Sequence, residues 1–177
     1  MKTLLTTVIL IVTSVCSAQN FPANWTGKYT GELISGNIGR PNDTIPVDFV
    51  LEEVIKDSVW TYTMTYHSER YGELTKDYRI VSKTQGDTVN FFLDELNGIK
   101  MELSLMNNCF YGMYDVVGQR FVSTMRLSGT KGLVIELFAA KDQDPLITSA
   151  REEEMDFEAK SFKCTLHQTI YLTKKDE

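Results

Sequence analysis

Two histidines, His67 and His167, are the only imidazoles the chain offers for acid–base or metal chemistry. His67 stands two residues before Glu69 in a polar stretch. A metal site built on that pair is short of the three or four ligands that zinc requires. His167 alternates with Leu166, so on an extended segment it faces away from Leu166 and Ile170. Both therefore read as surface or rim residues. Carboxylates cluster at Glu52-Glu53, Asp94-Glu95 and Glu152-Glu153-Glu154. Glycoside hydrolysis needs two carboxyls facing one sugar across a cleft; these clusters lie in turn-like stretches and read as solvated charge. No nucleophile elbow, His-Glu-x-x-His, paired-cysteine motif or phosphate-cradling glycine loop is present. The expectation is no catalytic residue, no metal, no cofactor and a non-enzymatic protein.

What remains is a set of large side chains. Trp60, Tyr62, Met64 and Tyr66 alternate with Thr61, Thr63 and Thr65. Tyr78, Phe91, Phe110, Tyr114 and Phe121 hold similar positions in later segments. On neighbouring strands, these nine side chains form one inner wall. Tyrosine hydroxyls seek partners, so such a wall suits an apolar cavity with a few polar anchors for a small apolar or amphipathic ligand. The competing reading is a solid core with no cavity.

The elements that position this wall are strands. In Asn24-Trp-Thr-Gly-Lys-Tyr-Thr-Gly-Glu-Leu-Ile34, Trp25, Gly27, Tyr29, Gly31 and Leu33 share one face, and Thr26, Lys28, Thr30 and Glu32 the other. That is a strand with a dry side and a wet side, and its glycines mark places where a sheet coils sharply. Residues 35–44, rich in Gly, Asn, Pro and Asp, read as a loop. About nine further segments with the same period follow. Asn97-Gly98 predicts a tight hairpin turn, and Asn107-Asn108 a weaker one. After Pro145 the rhythm changes. Ser149-Ala150-Arg151-Glu152 resembles a capping box, and the acidic run after it suits a helix N-terminus, so a short helix is expected over residues 150–159. Residues 160–173 read as a last strand.

The first 18 residues read as a secretory signal: Lys2, an apolar core of roughly 12 residues, too short to span a bilayer, and cleavage after Ala18. The expected location is secreted or periplasmic. Acylation of Cys16 is the alternative, although Thr13-Ser14-Val15 departs from a lipobox. Residues 19–177 then form one domain. Without the signal, 17 basic and 24 acidic residues remain, a net charge of −7 over 159 residues. An acidic surface disfavours nucleic acid and anionic lipid as partners, and no segment reads as a membrane span. Cys109 and Cys164 are the remaining cysteines. In an exported chain an even count predicts a disulfide, worth about 4 kcal/mol for a loop of this length; two reduced thiols are the alternative. Asn24-Trp25-Thr26 and Asn42-Asp43-Thr44 match the N-glycosylation pattern.

Every connection before residue 140 is short, which makes neighbours antiparallel. A sheet of so many strands twists and exposes edges, and closure solves both problems. The expected fold is all-β: an antiparallel up-and-down barrel of 8–10 strands with one short helix before the last strand. A two-sheet sandwich is the runner-up. A Trp opening the first strand, Gly two residues later, a meander, a late helix and a returning strand resemble the calycin superfamily, and within it the lipocalins. The fatty-acid-binding branch matches less well, since its helical lid belongs where residues 35–44 stand. Ala23 replaces the glycine lipocalins usually place before the Trp, and there is about one strand too many. Asp94-Glu95-Leu96-Asn97-Gly98-Ile99 is similar to a motif of uncharacterised secreted bacterial lipocalin-like proteins. The resemblance implies a secreted protein that binds a small ligand inside the barrel. The alternative is a structural or protein-interaction barrel with a filled core. A third reading, an enzyme on a calycin scaffold, requires His67 or a carboxylate inside a pocket.

Overall fold

The computed structural model of the chain describes residues 21–152 and 155–176. The expected signal segment, with Cys16, lies outside them. Thirteen strands account for the described fold: β1 (Gly27–Asn37), β2 (Asp43–Leu51), β3 (Glu53–Ile55), β4 (Val59–Ser68), β5 (Gly72–Ser82), β6 (Asn90–Asp94), β7 (Lys100–Met106), β8 (Cys109–Val116), β9 (Gln119–Ser128), β10 (Gly132–Lys141), β11 (Leu146–Glu152), β12 (Met155–Ser161) and β13 (Cys164–Lys174). From β4 to β10 each strand pairs antiparallel with the next. β13 returns between β10 and β1, and β2 flanks β1. β2 closes the sheet by pairing with β4 over residues 47–50. β3 continues β2 along the same neighbour after a break at Glu52. Thr61 clips that break: its hydroxyl accepts from the Glu52 amide at 2.8 Å and donates to the Val50 carbonyl at 3.1 Å. With β2 and β3 taken as one interrupted strand, this is a closed ten-stranded antiparallel barrel and not a sandwich.

The alternation that defines the strands also fills the barrel. One end is closed by a plug. Residues 21–25 form a turn across it, tied by the Trp25 amide to the Pro22 carbonyl at 2.9 Å. Phe21 meets Trp25, Trp60, Phe91 and Phe110 edge-on, at centroid distances from 4.7 to 5.8 Å. Tyr29 donates to the Trp25 carbonyl at 2.6 Å, which joins plug to wall. Edge-to-face rings of this kind add to the area they bury. Gly31 is where the backbone packs closest: a Cβ there would lie 1.8 Å from the Tyr171 carbonyl oxygen.

Four expectations are corrected. No helix forms near residues 150–159; β11 and β12 make a separate antiparallel hairpin. Apolar residues recur there every second position, as in Met155, Phe157 and Ala159, so a helix would have no apolar stripe. Of the expected acidic first turn, Glu153 and Glu154 lie outside the described residues. Cys109 and Cys164 are both free. Cys109 opposes Arg126, which opposes Val134, whereas Cys164 opposes Ala140. Six residues along β10 separate the two levels, about 20 Å of strand, and a bridge needs Cα atoms within about 7 Å. Of these two turns, the one with two positive-φ central residues is Asn107-Asn108, at 51° and 56°. At the other turn Leu96 and Gly98 take positive φ, and the Glu95 amide donates to the Ile99 carbonyl at 3.0 Å. The last strand starts at Cys164, later than expected. Phe162 lies before it, under the Arg120 guanidinium at 4.5 Å.

Candidate functional site

The half of the barrel away from the plug is not filled. Strands β1, β4, β6, β8 and β10 run toward this open end, where tyrosines and polar side chains share the inner wall with Met64, Leu93, Ile135 and Leu137. A cavity of about 140 Å³ remains, lined by Tyr62, Met64 and Tyr66 from β4, Lys76 and Tyr78 from β5, and Leu93 and Glu95 from the end of β6. Met101, Tyr114, Ser123, Ile135, Leu137, Gln168 and Ile170 complete the lining, with Glu136 at its border. The Glu136 carboxylate is engaged on the outer face with Arg126 at 3.4 Å. Register explains the grouping. Tyr62 is directly opposite Tyr78, and their rings stack at 6.5 Å and 15°. Phe49 supports Tyr62 edge-on at 4.9 Å.

Eight of the nine residues of the expected wall divide into two groups. Trp60, Phe91 and Phe110 belong to the solid core around the plug. Tyr62, Met64, Tyr66, Tyr78 and Tyr114 line the cavity. Phe121 stacks on Tyr114 at 5.4 Å and supports it from behind. Sequence reading missed Lys76, Glu95, Ser123 and Gln168. Strand parity with Tyr78 and Ile170 already places Lys76 and Gln168 inside. Glu95 follows the last residue of β6, and only the turn geometry brings it over the cavity.

The site favours neutral phenols. Burial pushes the Tyr62 hydroxyl far above its ordinary value, and the neighbouring Tyr66, Tyr114 and Tyr78 add to it. Burial, then Tyr78, raises Tyr66 to about 12. Tyr78 is also raised to about 12, by burial and by the negative charge of Glu95, toward which its hydroxyl donates. Burial and Glu95 raise Tyr114, against a hydrogen bond from Ser123. Glu95 is held from outside by the Asn97 amide at 3.1 Å. The Lys76 ammonium lies 6.0 Å from the Tyr78 ring centre, at the limit of cation–π range.

Both histidines lie on the outside of the barrel. His67 reaches Asp48 at 3.1 Å and Glu73 at 3.4 Å, and Glu69 is not its partner. It borders an open polar cleft of about 870 Å³ between the β1–β2 and β4–β5 connections. That recess is larger than the inner cavity, but it is a solvent-filled groove between loops. His167 stacks on Phe138 at 4.5 Å and meets Thr169 at 3.2 Å. Among the described residues no three His, Cys, Asp or Glu side chains converge as a metal site would require, and no helix is long and apolar enough to cross a membrane.

No family model matches the chain, and no curated protein matches it in sequence. Solved structures do match its shape. The S-type phycobiliprotein lyase CPES from Guillardia theta superposes with a TM-score of 0.62 at 6% identity, over 88% of this chain and 90% of that one. A protein of unknown function from the DUF3598 family of Nostoc punctiforme gives 0.57 at 8% identity, over 86% of this chain and 48% of that one. The first of these corrects the expectation of a non-enzymatic protein: a protein described as a lyase is built on this barrel, so the fold supplies no ground for setting enzymatic activity aside. At such low identities the likeness concerns the fold alone.

Proposed function

We propose that the open half of the barrel binds a small amphipathic molecule about the size of a single ring. The observation that carries this is the cavity itself. It is about 140 Å³ in volume, walled by Met64, Leu93, Met101, Ile135, Leu137 and Ile170, and bordered by four tyrosines. An apolar cavity of about 150 Å³ holds benzene, so a ring fits and a long acyl chain does not. The barrel likeness to a phycobiliprotein lyase supports the same reading at the level of fold. Binding works by exclusion of water. About 150 Å² of apolar ligand surface removed from water, at about 25 cal/mol per Å², gives about 4 kcal/mol, which corresponds to millimolar affinity. Tighter binding therefore draws on the polar groups at the rim. The filled-core alternative holds only for the closed half.

The test is a titration with benzyl alcohol, following the methyl NMR signals of Met64 and Met101. Both signals are expected to shift saturably, and Leu137→Trp, which fills the space, is expected to abolish the shifts. Linear, unsaturable shifts, or equal shifts in the filled variant, would end this reading.

A further inference from the structure

The cavity holds more donors than the protein uses. The Tyr78 hydroxyl is directed to Glu95, and Tyr114 is tied to Ser123. Among the described residues, the hydroxyls of Tyr62 and Tyr66 have no hydrogen-bond partner. Both side chains line the cavity. Both residues are partly buried, and their hydroxyls are not sealed off, so whatever fills the cavity supplies their hydrogen bonds. The two, on alternate positions of one strand, point at the same space. A phenol is protonated at neutral pH, so each presents an O–H and not an oxyanion. Lys76 adds a third donor at the mouth. Glu95 is the one carboxylate directed at the tyrosines, and Tyr78 and Asn97 already engage it.

We infer that the ligand presents a hydrogen-bond-accepting oxygen on its ring, as a carbonyl or a carboxylate, to the hydroxyls of Tyr62 and Tyr66. This rests on the cavity reading proposed above and specifies it. The ring occupies the apolar floor, and the oxygen takes the two idle donors. A ligand whose polar end is an ammonium cannot accept from these hydroxyls and meets the Lys76 ammonium. Lys76 favours a carboxylate and Glu95 opposes it, so the neutral and charged forms of the same oxygen chemistry are separated by experiment.

The probes are benzamide, benzoate, toluene and benzylamine, each titrated against the protein with the Met64 and Met101 methyl signals as readout. Benzamide or benzoate is expected to bind at least tenfold more tightly than toluene and benzylamine. The double variant Tyr62→Phe/Tyr66→Phe is expected to reduce that preference below threefold. Tyr62→Phe alone is expected to keep the melting temperature, because its hydroxyl makes no bond to the protein. Equal binding of all four probes, or a preference that survives the double variant, would overturn the acceptor inference and leave the cavity reading intact. So would a fall in melting temperature for Tyr62→Phe, which would reveal a protein partner. Loss of saturable binding for every probe, benzyl alcohol included, would overturn both.

Discussion

Val117 is a β-branched residue in the wrong conformation. It takes φ of 48° in the two-residue turn with Gly118, and it is 96% exposed. Positive φ in such a residue is strained, and this turn type prefers Asn before Gly. No burial offsets the strain. Val117→Asn is expected to stabilise the protein by about 1 kcal/mol, read as a rise in the urea midpoint; an unchanged or lower midpoint would show that the turn is relaxed. Residue-level reading of the chain was uneven in the same physical way. Tyr62, Tyr66, Tyr78 and Tyr114 were legible because rings on alternate positions announce a buried face. Lys76 shares the parity of Tyr78 but was passed over, since a charged side chain in a strand ordinarily faces water, and Glu95 lies past the end of β6, where parity says nothing. Their partners come from a neighbouring strand and a turn, which local pattern does not reveal. Trp60, Phe91 and Phe110 look identical to the cavity residues in sequence. Only the plug from Phe21 and Trp25 separates core from cavity.

The hairpin of β11 and β12 stands apart from the rest. It pairs only with itself. Leu146, Met155 and Phe157 on one face remain 47 to 67% exposed. Two strands alone are marginal in water. Replacing residues 146–161 by a Gly-Ser pair is therefore expected to leave the melting temperature within about 2 °C, by calorimetry. A drop of several degrees would mean that the hairpin packs on the barrel. This element was the one misread, and the cause is composition. The strands of the meander carry three or four large apolar residues each, and the period of two is unmistakable. Residues 146–161 mix Ser, Ala, Arg and Glu with few large side chains, so a capping pattern outweighed a faint alternation. The turns show a related limit: Asn97-Gly98 was the stronger signal, yet Asn107-Asn108 forms the tighter loop.

At the scale of the molecule, the buried tyrosines couple proton loss to unfolding. Tyr29, Tyr66 and Tyr78 are raised to about 12, and Tyr62 and Tyr114 are raised as well. In an unfolded chain these groups ionise near 10. Between about 10 and 12 the unfolded chain has released protons that the folded chain keeps, so stability falls as pH rises through that window. The denaturation midpoint is expected to fall from pH 10 upward, with tyrosinate absorbance appearing together with loss of structure. Complete ionisation near pH 10 with the fold intact would contradict the burial described. Closure was legible from the short connections, because short links leave no alternative to antiparallel neighbours. The seam was not, because β2 meets β4 over residues 47–50 and nothing local marks them. The other neighbour of β1 is β13. During synthesis, then, β1 leaves the ribosome with one flank bare, and its match at residues 166–174 follows far behind it. The nascent protein must keep that flank from foreign strands until residue 174 emerges, so aggregation in vivo is a race set by translation speed.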